Sequence, residues 1–221
     1  MACLPELLQM KSIVILISGR GSNLRALLDA ELPNCRMAVI SSRLDAPGLA
    51  HARERGVATT VVDHRDFPRR ADFDTALAEA VETHQPDLVA MAGFMRVLGV
   101  AFVDRFAGRL INIHPSLLPA FPGLRTHAQA LAAGVRIHGC SVHFVTTLLD
   151  AGPIVIQAAV PVRASDTEET LAARVLAQEH VIYPQALRWF LEGRLKLTAD
   201  GKVRIDGEVS SEAILVAPSV L

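Results

Sequence analysis

A short apolar, β-branched run alternates with a helical stretch, again and again, from Ile13 to Ala92. Ile13 to Ile17 is wholly apolar, as expected of a strand covered on both faces. Leu24, Leu27 and Leu28 then recur at helical spacing. Met37 to Ile40 is a second strand, and Pro47 to Arg55 a helix with Pro in its first turn and Gly56 at its end. Ala58 to Val62 is a third strand, Ala71 to His84 a helix closed before Pro86, and Leu88 to Ala92 a fourth strand. Strands of about five residues alternating with helices of about ten specify βαβ units and a parallel sheet. Right-handed crossovers then wind helices onto both faces.

The second half reads differently. Leu110 to Ile113 is a strand, followed by a Pro-rich loop from Pro115 to Gly123 and a short helix from Thr126 to Ala133. Ser141 to Val145 and Ile154 to Val162 are strands joined by a connection short enough to require antiparallel pairing. Glu168 to Glu192 is a long amphipathic helix with Pro184 as a candidate kink, and residues 195 to 206 form a candidate hairpin. The expected fold is α/β: a Rossmann-like, doubly wound, mostly parallel sheet with antiparallel strands in the C-terminal half. It forms one domain over residues 12–206, with an N-terminal extension (1–11) and a C-terminal tail (207–221).

Composition excludes several classes. Among 221 residues, 51% are hydrophobic and 20% charged, which is globular and not disordered. The formal net charge of −1 disfavours nucleic acid as the main ligand. No apolar run approaches the roughly 20 residues a bilayer needs, and no signal-peptide pattern opens the chain. Cys3, Cys35 and Cys140 are odd in number and widely spaced, so a reducing compartment, the cytoplasm, is expected rather than a disulfide framework.

Three stretches carry chemistry. Gly19-Arg20-Gly21-Ser22-Asn23-Leu24 follows a strand and opens a helix, so its N–H groups and the helix dipole suit an anion. It lacks the third Gly of the dinucleotide fingerprint and the Lys of a Walker loop, which leaves a phosphate rather than NAD or ATP. The same residues serve equally as a Gly-rich turn in which Ser22 or Asn23 caps a helix. Asn112 and His114, two apart on a strand, share one face at its carboxyl end. An amide donor beside a titratable imidazole is what acyl transfer needs, one group for the oxyanion and one for the proton. Asp150, before Ala151-Gly152-Pro153, is first a turn former. It gains a chemical role only if it reaches His114, where a carboxylate favours the charged imidazole.

His138, Cys140 and His143 do not make a metal site, because residue 143 points to the other face of the strand from 138 and 140. Cys140 reads as inert core. Ser116 has no nucleophile-elbow context. The turn at Gly19–Asn23, the segment Gly93–Leu98 and His114 all follow carboxyl ends of strands, where open α/β sheets bind ligands.

Taken together, Ile17 to Leu24, Ala92-Gly93-Phe94-Met95-Arg96, Asn112 to Pro119, Ser141 to Val145, Leu149 to Pro153 and Gln178 to Pro184 resemble the glycinamide ribonucleotide formyltransferases, a family of folate-dependent enzymes. The resemblance runs from about Ser12 to Leu197. It implies a formyl transfer from 10-formyltetrahydrofolate as co-substrate to the amine of glycinamide ribonucleotide, without a metal or a covalent enzyme intermediate. By it Asn112, His114 and Asp150 match the catalytic trio. Gly21, Ser22 and Asn23 match a phosphate cradle, and Glu179 the segment that holds the ribonucleotide. Arg70, Met95, Arg96, Val97, Leu98, Asn112, Thr146, Thr147, Leu148 and Leu149 match folate-contacting positions. Thr147 and Leu148 stand where relatives often carry acidic residues, and Leu176 where a polar residue is expected. The implied partners are the two small molecules, with the chain a monomer or homodimer. Alternatives are a formyltetrahydrofolate hydrolase or a non-catalytic nucleotide-binding module. A methionyl-tRNA formyltransferase is expected to need a further RNA-binding domain and more positive charge.

Overall fold

The computed structural model describes residues 10–208 and 215–218. Seven strands form the main sheet: β1 (Lys11–Ile17), β2 (Cys35–Ser41), β3 (Ala58–Val61), β4 (Leu88–Met91), β5 (Leu110–His114), β6 (Ile137–Phe144) and β7 (Ile154–Pro161). Their order is β3-β2-β1-β4-β5-β6-β7. The first five are parallel; β6 and β7 run antiparallel to their neighbours. The helices are α1 (Ser22–Asp29), α2 (Gly48–Glu54), α3 (Arg70–Glu82), α4 (Val100–Arg105), α5 (Thr126–Ala132) and α6 (Glu168–Leu191). A separate hairpin pairs β8 (Leu195–Leu197) with β9 (Val203–Ile205).

Alternation along β1 explains the layering. Ile13, Ile15 and Ile17 pack on one face with Leu24 and Leu27 of α1, Leu49 of α2, and Leu171, Val175 and Leu187 of α6. Val14 and Leu16 pack on the other with Phe73 and Leu77 of α3 and Phe102 of α4. These five β1 side chains, Ile13 to Ile17, are fully buried. Each contributes about 1.5–3 kcal/mol by leaving water. A charge at Ile15 would break this core, because no face of β1 reaches solvent.

α6 shows how sequence sets both ends and face. Thr167 and Thr170 cap it reciprocally, and Glu168 and Glu169 lie in its first turn, where the dipole favours negative charge. Its apolar stripe covers the sheet, and the helix continues through Pro184.

The structure also departs from the sequence reading. β1 begins at Lys11, inside the segment read as an extension; residues 1–9 lie outside the described residues, as does most of the tail. β6 begins at Ile137, four residues early, because His138 and Gly139 hide the strand pattern. α4 has only six residues, too few to show a helical repeat. β6 pairs antiparallel with β5 as well as with β7.

Candidate active site

The sheet order reverses direction between β1 and β4. Loops leaving the two carboxyl ends diverge there and open a crevice. Four segments meet along this edge: the turn after β1, the segment after β4, the end of β5 and the loop between β6 and β7.

The turn after β1 requires glycine. Gly21 has φ +75°, and a Cβ there would lie 2.7 Å from the Gly48 Cα at the start of α2. Ser22 and Asn23 open α1 behind it. Asn23 does not cap its helix; its Nδ2 donates to Glu179 Oε2 at 2.6 Å. Its Oδ1 is buried without a hydrogen-bond partner among the described residues. Glu179 occupies a position in the apolar stripe of α6, one turn after Val175. Burial pushes the Glu179 carboxyl up, partly offset by the Asn23 hydrogen bond. Ser22, Asn23 and Glu179 thus lie where α1 meets α6, and Leu176 lies one turn earlier on α6.

The segment after β4 is tied to this turn. Ser18, the residue before Gly19, takes the Met95 N–H on its Oγ at 2.9 Å and shares a hydrogen bond with Ser42 Oγ at 2.7 Å. Met95, Arg96 and Val97 are exposed; Leu98 instead packs its side chain into the core. Across the crevice, Thr146 is half-buried and Thr147, Leu148 and Leu149 are exposed. Arg70 is exposed at the start of α3. Exposed Met95, Val97, Leu148 and Leu149 suit a flat apolar ring system, and Arg70 and Arg96 suit carboxylates.

At the end of β5, Asn112 and His114 share one face. His114 is buried, with Nε2 3.1 Å from the Phe121 carbonyl. A carbonyl only accepts, so Nε2 carries a proton. Nδ1 lies 3.6 Å from Asp150 Oδ2. The ring is thus held between a carbonyl on one nitrogen and a carboxylate facing the other. Asp150 has φ +49°, a left-handed conformation that Asp tolerates. Its Oδ2 also accepts from the Gly123 N–H at 2.8 Å, so the loop after β5 and the loop after β6 close on each other.

A further residue enters here that strand-face reasoning treated only as a failed metal ligand. His143 on β6 pairs directly with Asn112 on β5. Its Nδ1 lies 2.9 Å from the Phe144 carbonyl, which fixes the proton there. Nε2 is then an acceptor, 3.3 Å from Asn112 Nδ2 and 3.9 Å from Asp150 Oδ1. Burial lowers the His143 pKa, against the Phe144 carbonyl and the Asp150 charge. The antiparallel β5–β6 register was the missing signal. His138 turns elsewhere, to His127 at 3.2 Å, and burial brings it down to about 4. Burial raises the Cys140 thiol to about 12. Among the described residues no group of three or more His, Cys, Asp or Glu converges to hold a metal ion. No helix among them is long and apolar enough to cross a membrane.

An open α/β crevice that pairs an amide with a carboxylate-backed imidazole holds the kinds of group that acyl and formyl transfer use. The formyl transferase family model matches residues 11–187, and the chain belongs to that family. It is 51% identical over 190 residues to the phosphoribosylglycinamide formyltransferase of Escherichia coli, covering 84% of this chain and 90% of that one. It is 41% identical over 203 residues to the enzyme of the same name from Haemophilus influenzae, covering 90% and 95%. The crystal structure of glycinamide ribonucleotide transformylase 1 from Symbiobacterium toebii matches with a TM-score of 0.85 and 48% identity, over 92% of this chain and 98% of that one.

Proposed function

We propose that this chain transfers the formyl group of 10-formyltetrahydrofolate to the amine of glycinamide ribonucleotide, a step of purine synthesis in the cytoplasm. The observation that carries it is the approach of Asp150 to His114 on the strand that also presents Asn112, in a chain of this family. The phosphate of the ribonucleotide lies at Gly21, Ser22 and Asn23, with Glu179 holding its sugar side. The folate lies along Met95 to Leu98 and Thr146 to Leu149, with Arg70 and Arg96 toward its carboxylates. The chain acts as a monomer or homodimer.

The amine attacks the formyl carbon and a tetrahedral oxyanion forms. Asn112 donates one amide N–H to that oxygen, its other being held by His143. His114 contributes the second donor when Nε2–H exchanges the Phe121 carbonyl for the oxyanion. Asp150, 3.6 Å from the other ring nitrogen, stabilises the positive charge that develops on the imidazole as the ring takes part in the transfer. The proton leaving the amine reaches the folate nitrogen as the carbon–nitrogen bond to the folate breaks. Holding both substrates in one crevice supplies much of the rate.

The test is absorbance-monitored folate release with purified protein. Product only when both substrates are present supports the proposal. Release without ribonucleotide would make the chain a hydrolase, and no release with either would leave a binding module.

A further inference from the structure

The reaction above makes no use of Asp74, yet this carboxylate is only 7% exposed, on α3. Its Oδ2 accepts from the Gly99 N–H at 2.8 Å and lies 3.5 Å from Arg70 Nε. Its Oδ1 is buried with no hydrogen-bond partner among the described residues. A buried carboxylate half without partners is costly, so its position demands a reason.

Gly99 supplies one. It closes the segment Met95–Leu98 and caps α4. Its backbone is ordinary, so any residue could adopt it. A Cβ there, however, would lie 2.7 Å from Asp74 Oδ2 and 3.4 Å from Arg70 Nη2. Glycine is needed at 99 for the close approach of the carboxylate, not for the turn. A cavity of about 440 Å³, lined by Arg70, Asp74, Gly99 and Val100 among others, opens between α3 and α4. Asp74 lines that cavity, and the Gly99 N–H and Arg70 are the two partners of its Oδ2.

We propose that Asp74 is a positioning residue for the folate half of the site: one carboxylate oxygen locks the far end of the 95–98 segment and holds Arg70 over it. Ser18 ties the near end through Met95. Asp74 thus joins a folate-facing loop and a folate-facing cation, carried on different elements, into one unit. Its role rests on the formyl-folate reading above.

Steady-state kinetics of the full chain test it, with the two substrates varied separately. Asp74→Ala is expected to raise the KM for 10-formyltetrahydrofolate on the order of tenfold, the usual cost of one charged hydrogen bond. The KM for glycinamide ribonucleotide should stay within about twofold, since that substrate meets other elements. Asp74→Asn keeps an oxygen for the Gly99 N–H and should recover much of the folate KM. Gly99→Ala displaces Oδ2 and should reproduce the folate defect alone. In the Asp74→Ala background the obstructing atom is gone, so Gly99→Ala should add almost nothing. If Asp74→Ala does not fold, the rise in folate KM in Gly99→Ala decides, with Asp74→Asn as the near-normal control. Unchanged folate KM in Asp74→Ala or Gly99→Ala, equal rises for both substrates, or effects that multiply would overturn the assignment. Absence of turnover in the unmodified chain would instead overturn the reaction itself.

Discussion

Asn112 and His143 face each other across β5 and β6, with the amide Nδ2 3.3 Å from an imidazole nitrogen that can only accept. The Phe144 carbonyl sets that tautomer, and burial keeps the ring neutral below its ordinary pKa. The amide is therefore oriented before any substrate arrives, with one N–H committed to His143 and one left for the crevice. An oriented donor costs nothing to reorganise when charge develops.

Removing that acceptor should misaim the amide. His143→Leu is expected to lower kcat by roughly tenfold to a hundredfold, the range for a slightly misplaced catalytic group. Asn112→Ala sets the lower bound, with a loss on the order of a hundredfold or more. His143→Gln offers an oxygen to Asn112 and should recover part of the rate. A His143→Leu enzyme with normal kcat would show that the amide needs no support.

Gly21 makes a different kind of prediction, because two physical demands coincide there. Its φ of +75° disfavours any side chain, and its Cα side faces the Gly48 backbone. Gly21→Ala should raise the KM for glycinamide ribonucleotide severalfold and leave the folate KM nearly unchanged. It should also lower Tm, since backbone cannot yield as a side-chain tip can. The KM values for both substrates and a thermal melt decide this together. Equal losses for both substrates would mean general misfolding.

Glu179 predicts a pH dependence of stability. Burial raises its carboxyl above 4.5, the ordinary value, so the folded chain holds this proton more tightly than the unfolded chain. Stability then falls as pH rises from 4.5 through the folded-state value, and the full cost is present above it. Glu179→Gln removes that cost while keeping an oxygen and adding a donor. Its Tm gain should therefore be larger at pH 7 than at pH 4, and its ribonucleotide KM should rise. A Tm difference that does not vary with pH would show that burial does not penalise the charge.

The sequence displays some of this site and hides the rest for physical reasons. Asn112 and His114 are legible because a strand's period of two puts them together without tertiary information. The Gly19–Asn23 turn is legible because a strand and a helix bracket it. His143 is not, because its meeting with Asn112, 31 residues away, depends on β6 lying antiparallel beside β5. Glu179 stands in an apolar helical stripe, a local anomaly, but its partner Asn23 is 156 residues distant. Asp74 looks like any acidic helix residue until the β4–α4 segment folds over it. Whole elements follow the same rule: β1 and α6 are set by their own patterns, whereas α4 is too short to carry one.

Asp150 is the last link between geometry and chemistry. Its Oδ2 does two things at once, accepting from the Gly123 N–H at 2.8 Å and facing His114 Nδ1 at 3.6 Å. The first could be done by any oxygen; the second needs negative charge. Asp150→Asn separates them. Asn tolerates the left-handed backbone at 150 as well as Asp does, so the turn before Gly152-Pro153 should survive. An amide oxygen can still take the Gly123 N–H, so Tm should change little. What disappears is the negative charge facing the imidazole beside the oxyanion. The expected result is a loss of kcat on the order of a hundredfold or more, with both substrate KM values within a few-fold of normal. A variant with lowered Tm and unchanged kcat would reduce Asp150 to a turn residue.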